Sequence, residues 1–448
     1  MTVTPISAGI PDWAELGADA RRKLSSTATM RARRLERLLN AFVTIEDRIP
    51  VFEGALGGMP YAVKDIFRTA SHLPTGGLSN PSDLGIAGKT NLLNKLDHAG
   101  GHCIGYTAMT ELAYEPSGYN RARGSVRNPW NLDFIPGGSS SGSAAAVASG
   151  SAVVAFGSDT GGSLRIPAHC CGITAWKPSM GAISMQGAMP LAPSLDTIGL
   201  LARSASDMRL AADILIEDDH GRMLSKIARA VAIDDCFYAA DEPVRRACLE
   251  GLGAIEAHGV NIERRNALDA IKQVDIHAMT ILQGEAARVH RARIDDPALD
   301  PILRQRLEKG LAIDEMTLAA SYQTRSSLID DFIANVFGDS DVIILPVMAI
   351  RVPLATETDP DSNKFSPRTL YALSRFTRFV NMLGFPAVAV PSGFDDRGLP
   401  VALQIVGRPD TDCALLSLVD NVQKTTRWHA HIPAAVADSL PGLMELVT

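Results

Sequence analysis

The chain has 448 residues, of which 46% are hydrophobic and 21% charged, and its formal net charge is −7. That length suits two or three average domains, although α/β enzymes can keep as much chain on one sheet. The acidic balance gives no electrostatic footprint for nucleic acid or for an anionic membrane.

The first predicted element is a helical layer at the N-terminus. Positions 12–42 carry helical spacing, with Leu35, Leu38, Leu39 and Phe42 on one apolar face. The stretch before them lacks the basic start and apolar core of a signal peptide, so we expect a cytoplasmic protein. A strand over 61–65, a helix over 89–99 and a strand over 102–107 follow.

The stretch 136–167 is nearly uncharged and carries two serine-and-glycine clusters, GGSSSGS at 137–143 and GSDTGGS at 157–163. The first cluster leads into an alanine-rich segment, so its serines are expected to cap a closely packed helix. The second cluster follows a strand-like segment over 152–156. Its paired glycines permit consecutive N–H groups to converge on one point. We therefore predict that this stretch forms the active site and that the second cluster holds an oxyanion.

Three other interpretations fit this stretch less well. A flexible linker would not enclose apolar segments of this kind. A membrane span is a poor match because serines and glycines crowd the uncharged window. The pattern Gly138-Ser139-Ser140-Ser141-Gly142 satisfies G-x-S-x-G formally, but no apolar strand precedes it, as a nucleophile elbow requires.

The rest of the chain alternates between helical and strand patterns. Expected helices lie at 204–216, 241–258 and 414–425, expected strands at 228–233, 341–346, 387–391 and 401–406, and a helical region at 267–337. This alternation predicts the α/β class, with a large mixed β-sheet covered by helices on both faces.

The six cysteines, Cys103, Cys170, Cys171, Cys236, Cys248 and Cys413, show no metal-ligand spacing. We expect buried thiols, with packing favoured over a redox role at Cys170 and Cys171. We also predict no metal and no cofactor, because HExxH and paired Cys/His spacings do not occur in the sequence.

The blocks GGSSSGSAAAVASG and GSDTGGSLRIPA are similar to the signature of the amidase signature family, serine hydrolases of amide bonds. Ser139 and Ser163 lie 24 positions apart, as the family's bridging and nucleophilic serines do. The segment YAVKD at 61–65 resembles the strand with the family's lysine, and the resemblance covers nearly the whole chain. The chain departs from the family at 105–108, GYTA in place of Gly-Lys-Thr-Asn, and in a short interval before Lys64.

The resemblance implies a catalytic triad in which Ser163 is the nucleophile, Ser139 a cis-configured bridging serine and Lys64 the base. It also implies an oxyanion hole and a supporting set: the N–H groups of Thr160, Gly161, Gly162 and Ser163 form the hole, and Ser140, Asp159 and Arg165 support it. A lysine base must be neutral, so its pKa has to fall by roughly 3 units from about 10.4. A histidine base would have to be His72 or His169, chosen by proximity alone.

The resemblance implies one amidase domain over 1–448. Its parts are a helical layer at 1–60, a signature core at 61–210, a helical insertion at 267–337 and a C-terminal part at 338–448 that rejoins the sheet. Residues in stretches that line such pockets are Arg68, His72, Tyr114, Tyr119, Tyr322, Arg325 and Arg378, none of which the sequence assigns.

The function expected is an amidohydrolase that cleaves a small amide, anilide or carbamate through an acyl-enzyme, with urethanase-like activity on carbamates. We expect a mainly apolar acyl group. The alternatives are the glutaminase subunit of a tRNA-dependent amidotransferase, a hydrolase of biuret or allophanate type, and a non-catalytic binder of small amides. The expected partner is the small-molecule substrate, without nucleic acid or membrane, and a homodimer is an open alternative.

Overall fold

The computed structural model describes residues 12–81, 84–216 and 226–437. The fold is built on one mixed sheet of eleven strands within those ranges. The strands are β1 (Phe42–Ile45), β2 (Pro60–Lys64), β3 (His102–Thr107), β4 (Val154–Asp159), β5 (Thr174–Lys177), β6 (Thr197–Ala202), β7 (Arg229–Ile233), β8 (Asn261–Arg265), β9 (Val342–Pro346), β10 (Ala387–Phe394) and β11 (Pro400–Gly407).

The strand order across the sheet is β1-β3-β2-β4-β6-β5-β10-β11-β9-β7-β8. Strand β2 runs parallel to both β3 and β4, whereas β4 and β6 are antiparallel. Every residue of the inner strands β2, β4, β5, β6 and β9 is buried. Because side chains alternate between the two faces of a strand, both faces of the sheet are covered. The predicted fold class is confirmed.

Helices of all lengths surround this sheet. They are α1 (Ala18–Leu39), α2 (Leu92–His98), α3 (Ser141–Ala148), α4 (Arg165–Cys171), α5 (Ala205–Leu215), α6 (Asp234–Tyr238), α7 (Glu242–Ala257), α8 (Leu268–Val289), α9 (Pro301–Leu311), α10 (Glu315–Phe332), α11 (Ala355–Thr358), α12 (Pro367–Leu373), α13 (Arg378–Leu383), α14 (Asp412–Thr426) and α15 (Ala434–Ala437). None of them combines the length and apolar character needed to cross a membrane, over the ranges given above.

The N-terminal helical layer ends earlier than predicted, at the C-terminal end of its helix. Helix α1 stops at Asn40, which adopts a left-handed conformation with φ of 51°. The chain then turns into β1, so Phe42 begins an edge strand and is not part of the helical face. Residues 1–11 of the predicted layer lie outside the described ranges.

Helix α3 packs as closely as its small residues suggest, but the expected serine cap is wrong. All eight of its residues are buried, and a Cβ on Gly142 would collide with the backbone of Ala41 and Ala108. Ser140 precedes the helix without capping it, because its hydroxyl donates to the carbonyl of Ser158 at 3.3 Å. The side chain therefore ties α3 to the end of β4.

The helical region 267–337 contains α8, α9 and α10 and leads back to β9. Strands β9, β10 and β11 lie in the same sheet as β2, β3 and β4. The expected strands at 387–391 and 401–406 are both longer than predicted, as β10 and β11. The domain boundaries given by the resemblance stay a prediction.

Candidate active site

Lys64 is the last residue of β2, the third of the eleven strands across the sheet. Its side chain is completely buried, and its Nζ donates to the hydroxyl of Ser139 at 2.7 Å and to that of Ser158 at 2.8 Å. Strand β4 lies parallel to β2 and pairs Phe156 with Val63, which brings Ser158 beside the lysine. The lysine thus lies between two serines from the two serine-and-glycine clusters.

The surroundings of Lys64 favour its neutral form. Burial lowers the pKa of Lys64 to about 7, although the negative charges of Asp159 and Asp196 act in the opposite direction. Taking an ammonium out of water disfavours the charged state, and no carboxylate of the described residues pairs with this one directly. A substantial fraction of Lys64 is therefore neutral at neutral pH, as a proton acceptor must be.

Ser139 and Ser163 occupy neighbouring parts of the backbone. The Gly138–Ser139 peptide bond is cis, and the Ser139 side chain is fully buried. The N–H of the next residue, Ser140, donates to the carbonyl of Ser163 at 3.3 Å. Ser163 is partly exposed and lines a cavity, so its hydroxyl is the one within reach of a ligand.

A buried ion pair holds the loop before Ser163. Arg165 donates to Asp159 from Nε at 3.1 Å and from Nη2 at 2.9 Å, and neither side chain is exposed. Burial alone would raise the pKa of Asp159, but the Arg165 charge and hydrogen bonds lower it to about 2. Asn381 and Gln404 accept two of the remaining three guanidinium hydrogens at 2.8 and 2.9 Å. Four of the five N–H groups of Arg165 and both carboxylate oxygens of Asp159 are thus hydrogen-bonded, which stabilises a buried pair.

The loop geometry corrects one of the predicted oxyanion-hole donors. The N–H of Gly162 donates to Asp159 Oδ1 at 2.8 Å, so it is already used inside the protein. The N–H groups of Thr160, Gly161 and Ser163 make no such contact within the described ranges. Two side chains anchor these residues: Thr160 donates to Asp196 at 2.6 Å, and Thr377 donates to the carbonyl of Gly161 at 2.6 Å. Three of the four predicted N–H groups are therefore left to act as donors, and the oxyanion hole itself stays a prediction.

The cavity in front of Ser163 contains about 650 Å³ of space, part of it open to solvent. Its walls come from the loop after β3, from α8 and α9, and from the region of α12 and α13. Apolar side chains form most of the wall, namely those of Ala113, Pro116, Ile166, Leu191, Met279, Leu282 and Leu370. Polar groups reach it from Gln283, Ser374, Arg306 and Arg378.

Neither predicted alternative base is placed to act on the serines. Nδ1 of His169 accepts from the N–H of Ala402 at 3.1 Å, and burial lowers the pKa of His169 to about 4. His72 lies 2.7 Å from Asp65 and stacks on the Tyr106 ring. Within the described ranges, neither imidazole makes a hydrogen bond to Ser139 or Ser163. In the same part of the chain, no group of three or more His, Cys, Asp or Glu is arranged to hold a metal ion.

Sequence reasoning missed several residues of the site. Of the pocket residues that it left unassigned, Tyr114 and Arg378 line the cavity, whereas Arg325 donates to the carbonyl of Ser194 and Tyr322 to Glu285. It missed Ser158, although this residue lies in the second serine-and-glycine cluster, and it missed Arg306. All six cysteines lie in the described ranges and none forms a disulfide bond; five are buried and Cys413 is partly exposed. Burial raises the pKa of the Cys170 and Cys171 thiols, which makes them poor nucleophiles.

A model of the Amidase family matches residues 36–416. The chain belongs to the amidase signature family. Such enzymes act on carbon–nitrogen bonds as hydrolases or amidotransferases, so this amidase-family chain is an enzyme of that type. The site described above lies entirely within the matched residues.

Relatives and solved structures agree with this assignment. A glutamyl-tRNA(Gln) amidotransferase subunit of Marinomonas sp. (strain MWYL1) is 30% identical over 460 positions, which cover 90% of this chain and 93% of the relative. A crystal structure of an amidase has a TM-score of 0.79 at 28% identity and covers 90% of this chain and 95% of the other. The corresponding amidotransferase subunit of Thermotoga maritima has a TM-score of 0.75 at 26% identity, with 93% and 95% covered.

Proposed function

We propose that this amidase-family chain is an amidohydrolase that cleaves small amides, anilides or carbamates through an acyl-enzyme on Ser163. The observation that carries the proposal is the contact between the buried Lys64 and the hydroxyl of Ser139 at 2.7 Å, with the pKa of Lys64 near 7. A lysine in this state can accept a proton at neutral pH, which a solvated lysine cannot.

In the proposed mechanism, Ser139 passes the proton of Ser163 to Lys64 while the Ser163 oxygen attacks the amide carbonyl. The N–H groups of Thr160, Gly161 and Ser163 stabilise the negative charge on the tetrahedral oxygen. The proton then returns through Ser139 to the leaving nitrogen, and the C–N bond breaks. Water attacks the acyl-Ser163 ester by the same proton route and releases the acid.

A labelling and turnover experiment tests this proposal. A fluorophosphonate should modify Ser163, and Ser163→Ala should lose both the label and the release of amine from a panel of amides, anilides, carbamates and ureas. Ser141→Ala serves as the control, because Ser141 is a buried serine of α3 without a proposed role in catalysis. Labelling of Ser140, or turnover that survives Ser163→Ala, would contradict the proposal.

A second candidate function is the glutaminase subunit of a tRNA-dependent amidotransferase. The relatives with names of that kind, at 30% identity over most of both chains, favour it. Such a chain would release ammonia from glutamine for transfer by partner subunits. An assay of the purified chain alone distinguishes the two functions. Rapid hydrolysis of anilides without hydrolysis of glutamine supports the amidohydrolase, whereas hydrolysis of glutamine without hydrolysis of anilides supports the glutaminase.

Three further assignments, of an alternative substrate type, of the oligomeric state and of the cellular location, also stay predictions. A biuret- or allophanate-type activity, a homodimer and a cytoplasmic location are expectations of the sequence. The substrate panel with urea derivatives tests the first, and the mass of the purified protein in solution tests the second.

A further inference from the structure

The cavity in front of Ser163 contains two arginines with different partners. Arg378 is neutralised, because its Nε and Nη2 donate to the two carboxylate oxygens of Asp275 at 2.6 and 2.7 Å. Its remaining Nη1 donates to Ser374. The Arg378 guanidinium is therefore occupied by protein groups and has little left for a ligand.

Arg306, on α9, is different. Its guanidinium lies over the ring of Tyr114, 5.8 Å from the centroid, and both side chains line the cavity. Within the described ranges it donates to no protein acceptor and forms no ion pair. The ring fixes the position of the cation by a cation–π contact but leaves the hydrogen-bonding edge of the guanidinium unused.

Glu115 is an acid near Arg306, whose charge acts to lower the pKa of Glu115. Oε2 of Glu115 accepts from the N–H groups of Ser117, Gly118 and Tyr119 at 2.9 to 3.2 Å. Among the described residues, no ion pair within 4.0 Å joins it to Arg306. Burial raises the pKa of Glu115, against the effect of its loop contacts and of the Arg306 charge. Glu115 therefore closes the loop through Oε2. It lines a neighbouring cavity together with Glu111, Asp300 and Arg306, but within the described ranges none of these acids forms an ion pair or hydrogen bond with the guanidinium.

We propose that Arg306 is an anion subsite of this active site and that the substrate is an amide whose acyl chain ends in a carboxylate. The inference rests on the proposed amidohydrolase function and narrows the expected apolar acyl group to one with an apolar middle and an anionic end. The acyl half is the relevant one because it stays bonded to Ser163 in the cavity after the amine has left. A carboxylate accepts two parallel hydrogen bonds from a guanidinium, and the apolar wall strengthens that contact.

The expected effect is a strong preference for the carboxylate. A neutral chain end would leave the partly buried guanidinium without an acceptor. Because a hydrogen bond to a charged group stabilises by about 1.5–3 kcal/mol, the preference should be about 10- to 100-fold.

Binding to a variant that cannot react tests the subsite without relying on turnover. Titration calorimetry with Ser163→Ala compares malonamate, succinamate, glutaramate and adipamate with propionamide, butyramide, valeramide and hexanamide. Each pair differs only in a carboxylate that replaces a methyl group. Adding Arg306→Gln should remove the carboxylate preference. Adding Lys309→Gln should preserve the carboxylate preference. This substitution also removes one positive charge from α9, but Lys309 is exposed and lies outside the cavity.

Kinetics with the intact Ser163 provide the second readout. Arg306→Gln should lower kcat/KM for the best carboxylate amide by about 10- to 100-fold and leave the matched neutral amide within about 2-fold. Arg306→Lys should recover part of the loss. Fluorophosphonate labelling of Ser163 in Arg306→Gln shows that the fold and the nucleophile are intact.

Two results would overturn the anion subsite: no carboxylate binds more tightly than its neutral partner at any chain length, or Arg306→Gln weakens both members of a pair equally. Failure of the proposed function looks different. In that case Ser163 is not labelled and no amide is cleaved, while the calorimetric comparison still decides whether Arg306 binds carboxylates.

Discussion

Lys64 donates a 2.7 Å hydrogen bond to Ser139, and both side chains are completely shielded from solvent. The contact joins the end of β2 to the loop before α3. Because burial holds the pKa of Lys64 near 7, small changes around its Nζ should alter the fraction that can accept a proton. Single substitutions of the residues around this contact should therefore change the rate, or its dependence on pH, in different ways.

The second hydroxyl on Lys64 should tune its pKa. Ser158→Ala removes an acceptor of the ammonium form, so the pKa of Lys64 should fall and the acid limb of kcat/KM should move to lower pH. Turnover on the plateau should fall only about 3- to 10-fold, because the path through Ser139 remains. A pH profile of kcat/KM measures both effects.

Ser149→Ala is the matched control for Ser158. Ser149 is a buried serine at the end of α3 that bonds to Ser151 and to the carbonyl of Ala146. Its removal should leave the pH limb in place. If both variants give the wild-type limb, the contact between Ser158 and Lys64 does not set the pKa.

Thr377 should matter for the chemical step although it contacts no substrate in our account. Thr377→Val keeps the shape of the side chain and removes its 2.6 Å hydrogen bond to the carbonyl of Gly161. That hydrogen bond holds the loop 160–163, which carries the proposed oxyanion-hole donors. We expect kcat to fall about 10-fold with KM nearly unchanged, because the contact acts on transition-state charge. Thr174→Val removes another buried hydroxyl contact, to Arg203, and should affect stability without this change in kcat.

The buried pair of Asp159 and Arg165 should dominate acid stability around the site. Asp159 has a pKa of about 2 in the folded protein and about 3.9 when unfolded. Its stabilising contribution is therefore complete above about pH 4 and is lost as the pH falls from about 4 to about 2. Asp159→Asn should remove this pH-dependent component and destabilise the protein by about 3–5 kcal/mol, since it leaves Arg165 buried without a counter-charge.

Urea unfolding at several pH values measures this contribution. Asp269→Asn is the control, because Asp269 pairs with Lys272 on the surface and its loss should leave the unfolding midpoint unchanged. An Asp159→Asn protein as stable as the wild type would contradict the role given to the pair.

The residues of the candidate site that lie in short motifs could be predicted from the sequence. The residues that reach the site from distant parts of the chain could not. Lys64, Ser139 and Ser163 could be predicted because each lies in a recognisable segment; the structure places Lys64 beside Ser139, and their catalytic roles stay predictions. The role of Ser158 depends on the parallel register of β2 and β4, which the residue pattern does not specify. Asn381 and Gln404 reach Arg165 across 216 and 239 positions of the chain, a separation at which a single sequence gives no signal.

The same limit applies to the fold. Strands β5 and β6 were not predicted, because no polar alternation marks them, β5 has only four residues and β6 is interrupted by Gly199. Phe42 fits the helical spacing of α1, yet a single left-handed residue, Asn40, moves it into β1. Arg306 was missed because nothing in the helical pattern of α9 shows which of its arginines faces the cavity.

The most direct test of the account is the pH dependence of kcat/KM with Lys64 present and absent. The wild type should show a limb that rises with pH and has its midpoint near 7, since the rate follows the neutral form of Lys64. Lys64→Ala should flatten the limb and lower the rate by about 100-fold or more. Burial also lowers the pKa of Lys177 to about 7, but Lys177 donates to the carbonyl of Pro178, so Lys177→Met should retain the limb. Near-normal activity and the same limb in Lys64→Ala, or loss of the limb on replacing His72 or His169, would contradict the account.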